Sequence, residues 1–246
     1  RCIECGRCAS ACKYHAITNM IRPCEKSCPV HAISMDDDGS AKIDQERCIV
    51  CGACVYECPF GAMNDISGMV RVIHAIQDKQ QSTRRIHAIV APAVAAQFSG
   101  VTTGQVFRAI LALGFDSVTE VAGGADETAL AEAEELLERG FLTSSCCPAF
   151  VEYVNVEFPM LAGKVSDTPS PMVMTGKRIK EEDPDALVVF IGPCIAKKSE
   201  AHEMGIEDNA DYVLTFGEMT TMMASKNVEL KPVVDPYQEA SIWGKS

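Results

Sequence analysis

Residues 48 to 62 read Cys48-Ile49-Val50-Cys51-Gly52-Ala53-Cys54-Val55-Tyr56-Glu57-Cys58-Pro59-Phe60-Gly61-Ala62, the spacing C-x2-C-x2-C-x3-C-P. Two-residue gaps let one loop wrap three thiolates around a single 4Fe-4S cubane, while the fourth cysteine, stiffened by the following proline, points at a neighbouring one. One such run predicts a second. Cys2, Cys5, Cys8 and Cys12 repeat the spacing, with Lys13 in place of the proline.

A third, partial copy follows in Cys24, Cys28 and Pro29. The whole segment resembles a bacterial ferredoxin with an internal repeat, and predicts an α+β ferredoxin-like domain over residues 1–65. Ten of the thirteen cysteines lie here, two more than a pair of cubanes needs. The assignment that fits best gives one cluster Cys48, Cys51, Cys54 and Cys28, and the other Cys2, Cys5, Cys8 and Cys58. Cys12 and Cys24 are then spare, or belong to a third cluster with ligands upstream of Arg1. A pair of zinc knuckles is the competing reading, since C-x2-C also suits tetrahedral zinc, but zinc sites rarely use three cysteines at x2-x2 followed by x3-C-P. His15 and His31 occupy matching places in two of the copies and read as surface residues, not ligands.

Ten cysteines crowded before residue 60 at metal-binding intervals indicate a reducing compartment, hence the cytoplasm. A formal charge of −12 without clustered Lys and Arg excludes a nucleic-acid footprint. No run approaches the roughly 18 to 20 apolar residues that span a bilayer, and no basic-then-apolar leader precedes Cys2. Arg1 in place of Met, and Ser246 with no recognisable stop before it, make both ends read as cut.

After Met63 cysteine vanishes for more than eighty residues. Ile66, Met69, Val70, Ile73 and Ile76 recur at helical spacing, which predicts a connecting helix and linker over residues 66–85. From Ile86 onward strand-like runs (86–91, 115–121, 187–191, 211–216) alternate with helical ones (104–113, 126–139), predicting an α/β domain over 86–246 with a largely parallel sheet. Such sheets carry function at the ends of their strands.

Two of the runs lead into cysteines. Thr143-Ser144-Ser145-Cys146-Cys147-Pro148-Ala149-Phe150 sets adjacent thiols before a helix that starts at Pro148. Gly192-Pro193-Cys194-Ile195-Ala196-Lys197-Lys198-Ser199-Glu200 sets a cysteine after a strand, with two lysines behind it.

These two strings resemble the first two signature motifs of the iron-only (FeFe) hydrogenases, T-S-C-C-P-x-W and M-P-C-x-x-K-x-x-E. In this order behind a ferredoxin-like segment, they extend the likeness over nearly the whole chain. The resemblance implies that Cys147 and Cys194 bind the cubane of an H-cluster, a 4Fe-4S unit joined to a two-iron subcluster with CO, cyanide and dithiolate ligands. It implies that Cys146 is the terminal proton carrier and that Lys197 donates to a cyanide ligand, with Glu200 orienting it. Lys198 reads as a surface lysine. A proton path is implied from Cys146 through Glu132, Ser166 and Glu135 to Arg139. Residues 132, 135 and 139 share one helix face, and carboxylates in a low-dielectric site hold protons near neutrality when their pKa is raised. The competing account is a solvated helix with a Glu135–Arg139 ion pair of little worth.

Phe150 stands where the motif has tryptophan, Gly192 where it has methionine, and Ser145 is inserted before the cysteine pair. These departures resemble a ferredoxin-linked branch of the family. The third signature, which supplies the remaining two cubane thiolates, has no counterpart after Cys194, and the catalytic domain reads as truncated. The implied activity is reversible reduction of protons to dihydrogen, with a ferredoxin or flavodoxin-type carrier and hydrogenase maturation proteins as partners. The alternatives are a hydrogen sensor and an iron-sulfur electron-transfer or assembly protein without the two-iron unit. The Cys146-Cys147 pair argues against the assembly reading.

Overall fold

The structure, a computed structural model, describes residues 7–17, 21–80, 83–202 and 209–231. Cys2, Cys5 and the run from Asp235 to Ser246 lie outside these residues. The chain divides into two compact units, residues 1–48 with 52–64, and residues 49–51 with 65–246.

In the first unit the helices are single turns: α1 (Arg7–Ala11), α2 (Pro23–Ser27) and α3 (Ala53–Tyr56). Between α2 and α3 runs a hairpin of β1 (Ile33–Met35) and β2 (Ala41–Ile43), antiparallel with Ile33 opposite Ile43. Its turn is closed by Gly39 N–H donating to Asp36 O at 2.8 Å and by Asp38, which accepts from Ser40 N at 2.8 Å. Helices α2 and α3 pack against each other. The buried apolar side chains described in this unit are Cys24, Val30, Ala32 and Ile33. So small a core supplies little burial energy, and in a domain of this size a bound metal group commonly makes up the difference.

The second unit opens with α4 (Met69–Gln77), which presents Val72 to the core. Next come β3 (Ile86–Val90), α5 (Val94–Gln97), α6 (Thr103–Leu113) and β4 (Ser117–Glu120). The chain continues through α7 (Ala122–Arg139), α8 (Pro148–Glu157), α9 (Pro171–Glu182), β5 (Leu187–Gly192), α10 (Ala196–Glu200), β6 (Tyr212–Thr215) and α11 (Phe216–Ser225). The four strands form one parallel sheet in the order β4-β3-β5-β6. Both central strands are mainly apolar, with His87 the one polar residue of β3, and β5 is buried at every position. A strand with no polar face needs cover on both sides. Helix α11, in contact with both α4 and α6, covers one face with them, and α9 covers the other, backed by α7.

Local chemistry sets the helix limits. Thr102 with Gln105 and Thr215 with Glu218 form capping boxes that satisfy the first amides of α6 and α11. α8 and α9 each begin with proline, where the missing N–H is no loss.

At the C-terminal edge of the sheet, Gly192 ends β5. A Cβ there would lie 2.6 and 2.7 Å from ring carbons of buried Phe190 and 3.1 Å from the Cβ of Ala91. The Phe190 ring thus occupies the space a larger residue at 192 would need. Glu120 ends β4 on the same edge, its Oε2 buried without a hydrogen-bond partner among the described residues, and burial pushes its pKa up.

Two stability measurements test these contacts. Gly192→Ala should destabilise by about 1–3 kcal/mol through overpacking against Phe190, read by denaturant unfolding; a neutral substitution would mean the ring moves freely. Glu120 takes up a proton on folding, so its contribution is complete below the ordinary value of 4.5 and is lost as pH rises through the higher folded value. Glu120→Gln should therefore raise the melting temperature at pH 7, with the difference vanishing below pH 4.5.

Candidate functional site

Helix α7 and the loop after it carry most of the site. Gly140, left-handed at φ 73°, stops the helix, and the chain then runs beside residues 164–166. Thr143 N donates to Lys164 O and Ser166 N to Thr143 O, both at 2.8 Å. This short parallel bridge sets the Cys146 loop alongside Ser166.

Glu132, on α7, accepts from Ser144 Oγ at 2.7 Å and from Ser145 N at 3.2 Å. Cys146 N donates to Ser144 Oγ at 3.4 Å. Glu132 therefore reaches the Cys146 backbone through Ser144. Ser145 Oγ donates to Thr168 O at 2.5 Å, so the inserted serine ties the cysteine loop to segment 166–168.

One turn further along α7, Glu135 accepts from Ser166 Oγ and Arg139, from Thr168 Oγ1 at 3.2 Å and from Asp167 N at 3.2 Å. Arg139 also donates to Gly163 O and contacts Asp167 at 3.3 Å. Ser166 is buried. The Ser166 hydroxyl first, then the Asp167 amide, Arg139 and Thr168, hold the Glu135 carboxyl down at about 2. At Glu135 this reverses the expectation of a raised carboxylate, because donors surround the ionised form. The Glu135–Arg139 ion pair is present, but with side chains 15% and 26% exposed it is more than a solvated surface contact. The five proposed path residues thus occur in two linked hydrogen-bonded groups, Cys146 through its backbone amide alone, with Ser144, Thr168 and Asp167 as members the sequence pattern gave no sign of.

Cys147 is the N-cap of α8, and Cys194 lies two residues before α10. The two helices pack together. Both thiols are free and at least partly exposed. Lys197 is buried, with Nζ at 3.0 Å from Ser170 Oγ and 2.5 Å from Glu200 Oε2. Glu200 therefore holds Lys197 as an enclosed ion pair. Lys198 corrects its reading as a surface lysine: its side chain is 13% exposed and bound to Asp65 and Glu218. Two thiolates suit part of a sulfur-ligated iron group; among the described residues no three His, Cys, Asp or Glu side chains are already gathered as a metal site.

In the cysteine-rich unit, three turns share one backbone form. After α1, α2 and α3 respectively, His15 N, His31 N and Gly61 N donate to Cys12 O, Cys28 O and Cys58 O at 3.1, 3.3 and 3.3 Å. The residue three past each cysteine is left-handed, with φ of 50°, 51° and 62°. Ala32 N donates to Cys28 Sγ at 3.2 Å, and Ala62 N to Cys58 Sγ at 3.3 Å. Backbone amides, chiefly Ala16, pull the Cys12 thiol below its usual range, and amides led by Met63 do the same for Cys58. His15 and His31 are exposed and turn the chain where Gly61 does in the third copy. N–H groups aimed at sulfur fit thiolates that ligate iron.

Residues 84–244 match the family of the iron-only hydrogenase large subunit, C-terminal domain, and residues 22–62 match the 4Fe-4S dicluster domain. Iron hydrogenase 1 of Clostridium pasteurianum is 31% identical, over 96% of this chain and 44% of its own length. The periplasmic Fe hydrogenase large subunit of Nitratidesulfovibrio vulgaris is 27% identical, over 69% of this chain and 47% of its own. The cytosolic Fe-S cluster assembly factor NAR1 of Kluyveromyces lactis is 33% identical, over 41% of this chain and 22% of its own. The chain spans less than half the length of these curated relatives. With two-thirds of its residues matched to a single family and an iron-sulfur unit ahead of them, the chain belongs to the iron-only hydrogenase large-subunit family.

Proposed function

We propose that the chain forms the electron-entry unit and part of the catalytic region of a hydrogenase that interconverts protons, electrons and dihydrogen. The observation that carries this reading is the bonding of Glu132, Ser144, Ser166 and Glu135 around the loop that bears Cys146 and Cys147. An electron-transfer or assembly protein has no need of carboxylates and hydroxyls lined up behind a cysteine pair.

In this reading Cys147 and Cys194 are thiolate ligands of the H-cluster cubane, and Lys197 presents a fixed ammonium to its anionic diatomic ligands. The H-cluster, when bound, supplies the chemistry that makes and breaks the bond between hydrogen atoms. The protein handles protons. Cys146 exchanges a proton at Sγ, and Glu132 and Ser144 lie behind it. Ser166 and Glu135 carry the proton onward to the surface end of the path, where Arg139 holds the Glu135 carboxylate. Glu135, with its pKa at about 2, is ionised at neutral pH and passes a proton on without storing it.

Cys48, Cys51, Cys54 and Cys28 hold one 4Fe-4S cluster in this reading, and Cys2, Cys5, Cys8 and Cys58 the other. The packing of α2 on α3 supports pairing the middle copy with the last. A ferredoxin or flavodoxin-type carrier in the cytoplasm delivers electrons, and maturation proteins insert the two-iron group.

The likeness to NAR1 favours a second reading, an assembly-type protein without the two-iron group. Infrared spectra of the complete, matured protein separate the two, since bands from iron-bound CO and cyanide are expected only for the hydrogenase. Cys146→Ser should keep those bands and lose turnover by about 10²-fold or more, the scale of a missing proton-transfer group. Equal turnover would remove the proton role. Cys147→Ala should abolish assembly of the catalytic cubane, seen as a lower iron count per chain; an unchanged count would refute the ligand assignment.

A further inference from the structure

Lys197 and Lys198 are neighbours on α10, yet they are bound to different parts of the unit. Lys197 Nζ meets Ser170 and Glu200. Lys198 Nζ lies 2.5 Å from Asp65 Oδ2, 2.8 Å from Glu218 Oε2 and 3.1 Å from Ile66 O. Glu218, the capping residue of α11, also accepts from Ser67 Oγ at 2.6 Å, Gly68 N at 3.1 Å and Thr215 N at 2.7 Å. Every residue from 65 to 68 is therefore bonded to this one lysine–glutamate pair. Gly68 leaves no slack, because a Cβ there would lie 2.6 Å from Val213 O on β6.

Stability alone does not account for a lysine in this place. A desolvated ion pair is often matched or bettered by apolar residues of the same volume, whereas directed bonds fix one register among several. The register fixed here is that of residues 65–68 against α10 and α11. Cys58 lies only seven residues before Asp65, a reach of at most about 25 Å along the chain. Cys194 lies four residues before Lys198.

We propose that Lys198 is a positioning residue for electron entry. By clamping residues 65–68 it fixes where the chain leading back to Cys58 leaves the unit that carries Cys194. The proposal rests on the hydrogenase reading. One electron passes from the reduced cluster that Cys58 helps to hold, which is thereby reoxidised, to the iron-sulfur group held by Cys147 and Cys194. A low-potential one-electron carrier restores the first cluster. Tunnelling rates fall exponentially with distance, so a loosened clamp should slow this transfer and leave the catalytic centre itself intact.

The test compares Lys198→Met with the wild type and with Lys198→Arg. In this chain, amide hydrogen exchange at Gly68 and Met69, whose N–H groups are held by Glu218 and Ser67 Oγ, should speed up at least tenfold in Lys198→Met and be largely restored in Lys198→Arg. In the complete, matured protein, iron content and hydrogen–deuterium isotope exchange, which needs only the catalytic centre, should be unchanged. Carrier-driven hydrogen evolution should fall at least fivefold. An unchanged ratio of evolution to isotope exchange would overturn the role of Lys198. Loss of both activities together would make the lysine merely structural. Should Lys198→Met fail to fold, Asp65→Asn removes one leg of the clamp and is judged by the same ratio. A wild-type protein without isotope exchange would refute the hydrogenase reading itself, and this proposal with it.

Discussion

The rest of the second unit depends on β5, a strand buried at all six positions and paired in parallel on both sides. A strand with no polar face forces helices onto both sides of the sheet, and parallel pairing forces every crossover to return its loops to the same edge. Val90, Glu120, Gly192 and Thr215 end their strands along that edge. Cys194 follows from β5 directly. Cys147 heads α8, which packs on the α10 that follows Cys194.

The first unit works by the opposite rule. With four buried apolar side chains described, it has little hydrophobic burial to order it, and its organisation comes from repeated backbone turns that aim amides at sulfur. Such amides compensate negative charge, which suits a cluster bearing several thiolates. The two units therefore draw on different sources of order, one on apolar packing and the other on metal ligation.

Much of this was legible in the residues. The cysteine spacings announced the iron-sulfur unit, and the apolar runs at 86–91 and 187–191 announced the central strands, because periodicity and composition report burial directly. Strand β4 was harder: Phe115 and Val121 are buried but flank the strand, since burial and ladder pairing are separate properties. The environment of Glu135 was legible only in part: the resemblance set Ser166 and Arg139 beside it, but nothing pointed to Asp167 and Thr168 or to a lowered carboxyl. Its donors come from residues 166–168, some thirty positions away, and spacing along one helix cannot reveal what a second segment brings. Lys198 was misread for the same reason, as its partners lie at 65 and 218.

The depressed pKa of Glu135 has a kinetic meaning. At about 2, the carboxyl is protonated in roughly one molecule in 10⁵ at pH 7. A conduit through such a group would behave as a hopping stone and not as a reservoir: occupancy is fleeting, and flux depends on how fast solvent at the Arg139 end can deliver the next proton.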